Sequence, residues 1–98
     1  MYLVQRTFTR PSTDVSWYTP EQTFKDHFAA QYKMTSKVVS ETSSVSKDGL
    51  TKIINVMWAS KADFDAYEAD ASLQSHAAAR HAYNQTAGIR GTRTVSEF

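Results

Sequence analysis

The segment from Leu50 to Arg80, LTKIINVMWASKADFDAYEADASLQSHAAAR, constrains the fold more than any other part of the chain. Seven of its first nine residues are β-branched or apolar, and they read as a strand. Ser60 followed by Asp63 is a capping-box-like helix start, and the acid is also favoured by the helix dipole. Phe64 and Tyr67 then share an inward face. Asp70-Ala71-Ser72 breaks the run and a second helical piece begins near Ser72, with Leu73, His76, Ala77 and Arg80 on one face and Gly88 as its C-cap. A strand running directly into a broken helix must be covered by other strands on both edges and by helices on one face.

The upstream residues supply those partners. Residues 2–10 alternate, with Tyr2, Val4 and Phe8 on one side and Leu3, Gln5, Thr7 and Thr9 on the other; Arg6 interrupts the apolar side. A long side chain leaving past the sheet edge explains Arg6 more simply than an anion contact. Thr19-Pro20-Glu21-Gln22 predicts a capped helix from about Pro20 to Tyr32, stapled by Tyr18, with Phe24, Phe28 and Tyr32 as its buried stripe and His27 beside it. A Ser/Thr-rich strand follows, turned by Asp48-Gly49 onto Leu50–Trp58. Residues 91–98 give the last strand. The predicted order is β-α-β-β-α-β: one α+β domain over residues 1–98, a ferredoxin-like half-barrel with an antiparallel four-stranded sheet and helices on one face.

Pairing across the Asp48-Gly49 turn puts Val39, Val45, Leu50, Ile54, Val56 and Trp58 on the helix-facing side. Val38, Ser40, Thr42, Ile53, Asn55 and Met57 fall on the other, a mixed surface suited to meeting a second sheet. Glu41 lands on the core side, where a bulge could rotate it out. Leu, Ile, Val and Phe make only 18 of 98 residues. Aromatic rings must therefore supply much of the core, and self-association would extend it. The expectation is a homodimer whose two sheets pack into an α+β barrel.

A net charge of +1 gives no electrostatic case for nucleic acid. No apolar run approaches the ~18 residues of a membrane span, and the start of the sequence lacks a signal-peptide pattern, so a cytoplasmic chain is expected. There is no cysteine. His76 and His81 are five residues apart and diverge by about 140° on a helix, so no metal site is expected.

Ile53-Ile54-Asn55-Val56-Met57-Trp58-Ala59-Ser60-Lys61-Ala62-Asp63-Phe64, followed by Tyr67 and His76, resembles the dimeric α+β-barrel superfamily and, within it, the antibiotic-biosynthesis-monooxygenase-like domains. The resemblance implies a pocket between each sheet and its own helices. It also implies a range of activities: cofactor-free oxygenation of aromatic or quinol-like substrates, haem degradation, isomerisation, or none. The haem-degrading members use a strand-one Asn, a Trp and a His. Here His76 matches the His, Tyr67 stands near the Trp, and Arg6 and Thr7 occupy the Asn position. Haem is therefore disfavoured and no cofactor is expected.

His76 is the best single polar candidate, since an imidazole suits proton transfer near neutrality. A boundary histidine among alanines is an equally good account of it. Trp58 reads as a core anchor, and Tyr67 as a core ring with its hydroxyl at the rim. Arg80, Arg90 and Arg93 read as solvated or paired with Glu97 and Asp70. Two functions are carried forward. One is a homodimer binding a small apolar or aromatic molecule, with Phe24, Phe28 and Tyr67 lining the pocket, His76 as polar contact and candidate catalytic group, and cofactor-free monooxygenation or proton transfer as the chemistry. The other is a non-catalytic dimeric or protein-interaction domain of the same fold, which a filled helix–sheet interface would favour.

Overall fold

The computed structural model describes residues 1–98. The chain forms β1 (Tyr2–Thr9), α1 (Gln22–Phe28), a π turn (Ala29–Lys33), β2 (Val38–Val45), β3 (Thr51–Trp58), α2 (Lys61–Glu68), α3 (Ala71–Ala87) and β4 (Arg90–Glu97). The strands make one antiparallel sheet in the order β2-β3-β1-β4. This is the ferredoxin-like order that the sequence predicts. No helix is long and apolar enough to cross a membrane.

Register assigns the faces. Tyr2 lies opposite Trp58, Val4 opposite Val56 and Arg6 opposite Ile54, all toward the helices. The β2–β3 turn follows the expected pairing, with Val45 opposite Lys52. Gly49 takes the left-handed φ of 76° that closes the turn, and the Asp48 carboxylate accepts from the Leu50 amide and the Ser46 hydroxyl. At the other end of β2 an irregularity between Val38 and Ser40 shifts the register by one residue. It moves Val38 onto the helix-facing side, where it is buried opposite Trp58, and leaves Val39 half exposed. The assignment of these two valines from sequence is thus reversed. A bulge adds one residue to one strand only, and every side chain beyond it changes sides. Glu41 stays on the helix-facing side and is held there by Lys33 at 2.9 Å.

Two helix starts follow their sequence signals. Ser60 Oγ accepts from the Asp63 amide at 3.1 Å, and Asp70 Oδ1 accepts from the Ser72 amide at 2.8 Å. The first helix differs. Residues before Gln22 remain extended, Glu21 occupies the N-cap position without a side-chain bond, and Thr19-Pro20 is not the cap. Pro20 instead packs into the wall between sheet and helices. Tyr18 packs on His76 and Tyr83, with ring centroids 5.7 and 5.5 Å away. At the far end, the Met34 amide reaches back to the Ala29 carbonyl, an i→i+5 bond. A strict α-helix would carry Tyr32 some 80° round from Phe24. The wider turn rotates less per residue and keeps Tyr32 in the core beside Phe28, at 5.7 Å.

The main core is aromatic: Tyr2, Phe28, Tyr32, Trp58 and Phe64 with Val4 and Val38. Trp58 is 1 % exposed. The opposite sheet face carries Leu3, Ile53 and Met57 among Gln, Asn, Ser and Thr side chains, with Gln5 donating to Asn55 at 2.9 Å. None of the nine buried residues lies on that face. The bulge is tested by an isosteric pair: Val38→Thr should lower unfolding free energy by about 1–3 kcal/mol in urea titration, because it buries a hydroxyl. Val39→Thr should stay within about 0.5 kcal/mol.

Candidate functional site

The aromatic core does not fill the space between sheet and helices. A cavity of about 170 Å³ remains, walled by Phe24 and Phe28 from α1, Trp58 from β3, Tyr67 from α2 and His76 and Arg80 from α3, among others. The four residues singled out in the sequence (Phe24, Phe28, Tyr67 and His76) thus surround one space. Arg6 lies in the same wall, on the helix-facing side of β1, rather than leaving past the sheet edge.

His76 is held by rings. Its imidazole stacks on Phe24 at 3.9 Å between centroids and 7° between planes, and Tyr18 lies against it. Its Nδ1 is buried with no hydrogen-bond partner. Such an atom costs about 1–3 kcal/mol relative to a satisfied one, which a bound hydroxyl or carbonyl would offset. Burial, then Arg80 and Arg6, push the imidazole pKa down to about 4, so it is neutral at physiological pH. The Tyr67 hydroxyl is pushed up to about 12 by burial, against the pull of Arg6 and Arg80, and stays protonated.

The Phe24–His76 pair also borders a second cavity of about 390 Å³ on the outer side of α1 and α3. Arg6 and Arg80 border a third, of about 440 Å³, between the C-terminal half of α3 and β4. The inner cavity therefore has a ring-stacked wall on one side and a guanidinium wall on the other.

The arginines depart from their sequence assignment. Arg93 pairs with Glu68 at 2.7 Å, not with Glu97. Asp70 is occupied by His27 at 2.6 Å and Tyr32 at 2.5 Å. Arg6 and Arg80 have no ion pair. The sequence does carry a signal for Arg6, as a charge on the apolar face of β1; what periodicity lacks is the position of α3 above it. Asp70 is legible as a helix break but not as an acceptor, because His27 and Tyr32 are 43 and 38 residues away.

No protein-family model matches the sequence, and neither does any curated protein. The fold is a ferredoxin-like sheet under three helices, and it is shared with solved structures of low sequence identity. The solved structures it superposes on include SnoaB, a cofactor-independent oxygenase from Streptomyces nogalater, at TM-score 0.69 and 14% identity over 99% of this chain and 91% of that one. A dimeric ferredoxin-like protein from an uncultured marine organism matches at TM-score 0.61 and 10% identity, over 97% and 92% of the two chains. A Deinococcus radiodurans protein provisionally classed as an antibiotic biosynthesis monooxygenase matches at 0.59 and 10%, over 100% and 92%.

Two acid transitions should follow from His76 and Asp70. His76 takes its proton near 6.5 when unfolded and about 4 when folded, so stability should fall as pH drops from 6.5 to 4. Tyr32 and then His27 hold Asp70 down to about 2 against 3.8 unfolded. Its contribution, complete above pH 3.8, should be lost as pH falls toward 2. Urea midpoints across pH 7 to 2 should show both steps, with His76→Gln flattening only the first and Asp70→Asn only the second.

Proposed function

We propose that the chain binds a small aromatic molecule in the cavity between sheet and helices, with His76 as its polar contact. The observation that carries this reading is His76, with its Nδ1 unpartnered, in the wall of a cavity lined by five aromatic side chains besides its own. A buried ring nitrogen without a partner suits a site whose partner arrives from outside. Phe24, Phe28 and Tyr67 supply flat faces for the ligand ring. The size sets the class: an apolar cavity of about 150 Å³ takes benzene. A space of about 170 Å³ thus suits a single ring with a small substituent.

The chemistry open to such a site is proton transfer at His76 or, with dioxygen as co-reactant, oxygenation of an electron-rich ring. The oxygenase reading draws on SnoaB, a cofactor-independent oxygenase of this fold. The ligand's acidic C–H proton would pass to the imidazole, the carbon's electron pair would form a C–O bond to dioxygen, and the imidazolium would return the proton to the distal oxygen, giving a hydroperoxide that loses water to leave a carbonyl on the ring. No cofactor is part of the proposal. The rear face of the sheet, uncovered by the chain's own helices and carrying Leu3, Ile53 and Met57, is proposed to meet a second copy. The dimeric ferredoxin-like protein of the same fold supports that arrangement.

One observation favours the second reading, a non-catalytic dimer. The cavity lies below the ~300 Å³ at which most ligand sites begin. Phenol and toluene separate the two. Calorimetry should show phenol binding tighter than toluene, and His76→Ala should remove that preference, a loss of about three- to tenfold, without lowering the thermal midpoint. Failure of both probes to bind would leave the non-catalytic dimer. Light scattering should give twice the 11.0 kDa chain mass, and Ile53→Lys should return the monomer.

A further inference from the structure

We propose that the ligand of this site is an aromatic anion, a ring bearing a carboxylate or comparable oxyanion, with the ring in the inner cavity and the anionic group received by Arg6 and Arg80. The proposal rests on the aromatic-pocket reading above and names the substrate class for it. Arg6 and Arg80 are the only residues common to the inner aromatic cavity and the outer cavity between α3 and β4. A molecule with its ring among Phe28 and Trp58 and a polar group at that junction spans the boundary.

The charge arrangement favours an anion from outside the chain. Arg6 on β1 lies directly across from Arg93 on β4, and Arg80 approaches both from α3. Like charges at directly opposed sheet positions are destabilising. Arg93 is relieved by Glu68 at 2.7 Å. The other nearby acid in the inner wall, Glu41, is taken by Lys33 at 2.9 Å. Neither Arg6 nor Arg80 forms an ion pair, and Glu68, whose charge favours both guanidinium groups, is bonded to Arg93. Burial and mutual repulsion disfavour the charged form of Arg6, and burial does the same for Arg80. Guanidinium groups stay charged regardless, and an anion at their junction would offset the repulsion between them. Their planar forks match a carboxylate's two oxygens. Asn84 and Gln85 add amide groups to the outer cavity, and Gly91 keeps it open beside Phe8, whose ring would come within 2.9 Å of a Cβ there.

The test uses benzoate and benzyl alcohol, which share a ring and differ in charge, with acetate as the anion lacking a ring. Calorimetric titration of the whole chain should show benzoate binding about tenfold or more tighter than benzyl alcohol, and acetate binding weakest. Arg80→Gln and Arg6→Gln should each bring benzoate toward benzyl alcohol, weakening benzoate far more than the alcohol. Without ligand, both variants should melt at or above the wild-type temperature, because each removes one of two unpaired positive charges; a lower midpoint in both would show that the arginines are structural and overturn the proposal. Equal affinity for benzoate and benzyl alcohol would overturn the anion while the aromatic pocket stands. Acetate binding as tightly as benzoate would place the anion outside the ring site and overturn the single-ligand arrangement. Binding of none of the three would overturn the pocket itself.

Discussion

Trp58 is the point on which the other elements converge. It ends β3, 1 % exposed, and meets Phe28, Tyr32 and Phe64 edge-on and Tyr67 at a tilt, all within 6.2 Å between centroids. Those rings come from α1, the π turn and α2, so one indole joins every helical layer except α3 to the sheet. Aliphatic side chains adapt to irregular gaps, whereas rings meeting at 65–88° leave wedges between them. With so few Leu, Ile and Val, this chain has little with which to fill a wedge. The cavity beside Trp58 is thus a consequence of how the core is composed.

Legibility in the sequence follows the same division. Element order, the Asp48-Gly49 turn, the Ser60 cap and the Asp70 break depend on residues within a few positions of one another, and local chemistry decides them. The Val38–Ser40 irregularity and the π turn do not. Both are single-residue changes of phase that leave composition and hydrophobicity untouched, and each is selected by a distant partner: Val38 by Trp58, Tyr32 by the core and Asp70. The aromatic members of the candidate site are readable because helical periodicity already places Phe24 with Phe28, and His76 with Arg80. Arg6 is not, because strand periodicity tells which face a residue takes but not what lies above it. A charge on an apolar stripe is the one signal it leaves.

Asp70 links the layer that Trp58 does not reach. One of its carboxylate oxygens caps α3 through Ser72, and the other accepts from Tyr32 and contacts His27 on the first helix. The start of α3 is thereby tied to the α1–π-turn segment, and His76, less than two turns into α3, is brought against Phe24. A hydrogen-bonded carboxylate is a stiffer joint than an exposed ion pair, since burial reduces solvent screening. The position of the imidazole in the cavity wall is therefore set from a residue that does not touch the cavity.

The arginines and the histidine are electrostatically one unit. Arg80 and Arg6 both oppose a proton on His76, after burial, so an empty pocket holds a weak base. A weak base accepts a hydrogen bond but does not remove a proton from an ordinary phenol. The anion proposed between Arg6 and Arg80 would offset those two repulsions but not burial, the larger cause, and so would restore only part of the basicity of His76. A neutral ligand could occupy the cavity and satisfy Nδ1, but it would leave the imidazole as poor a base as it found it.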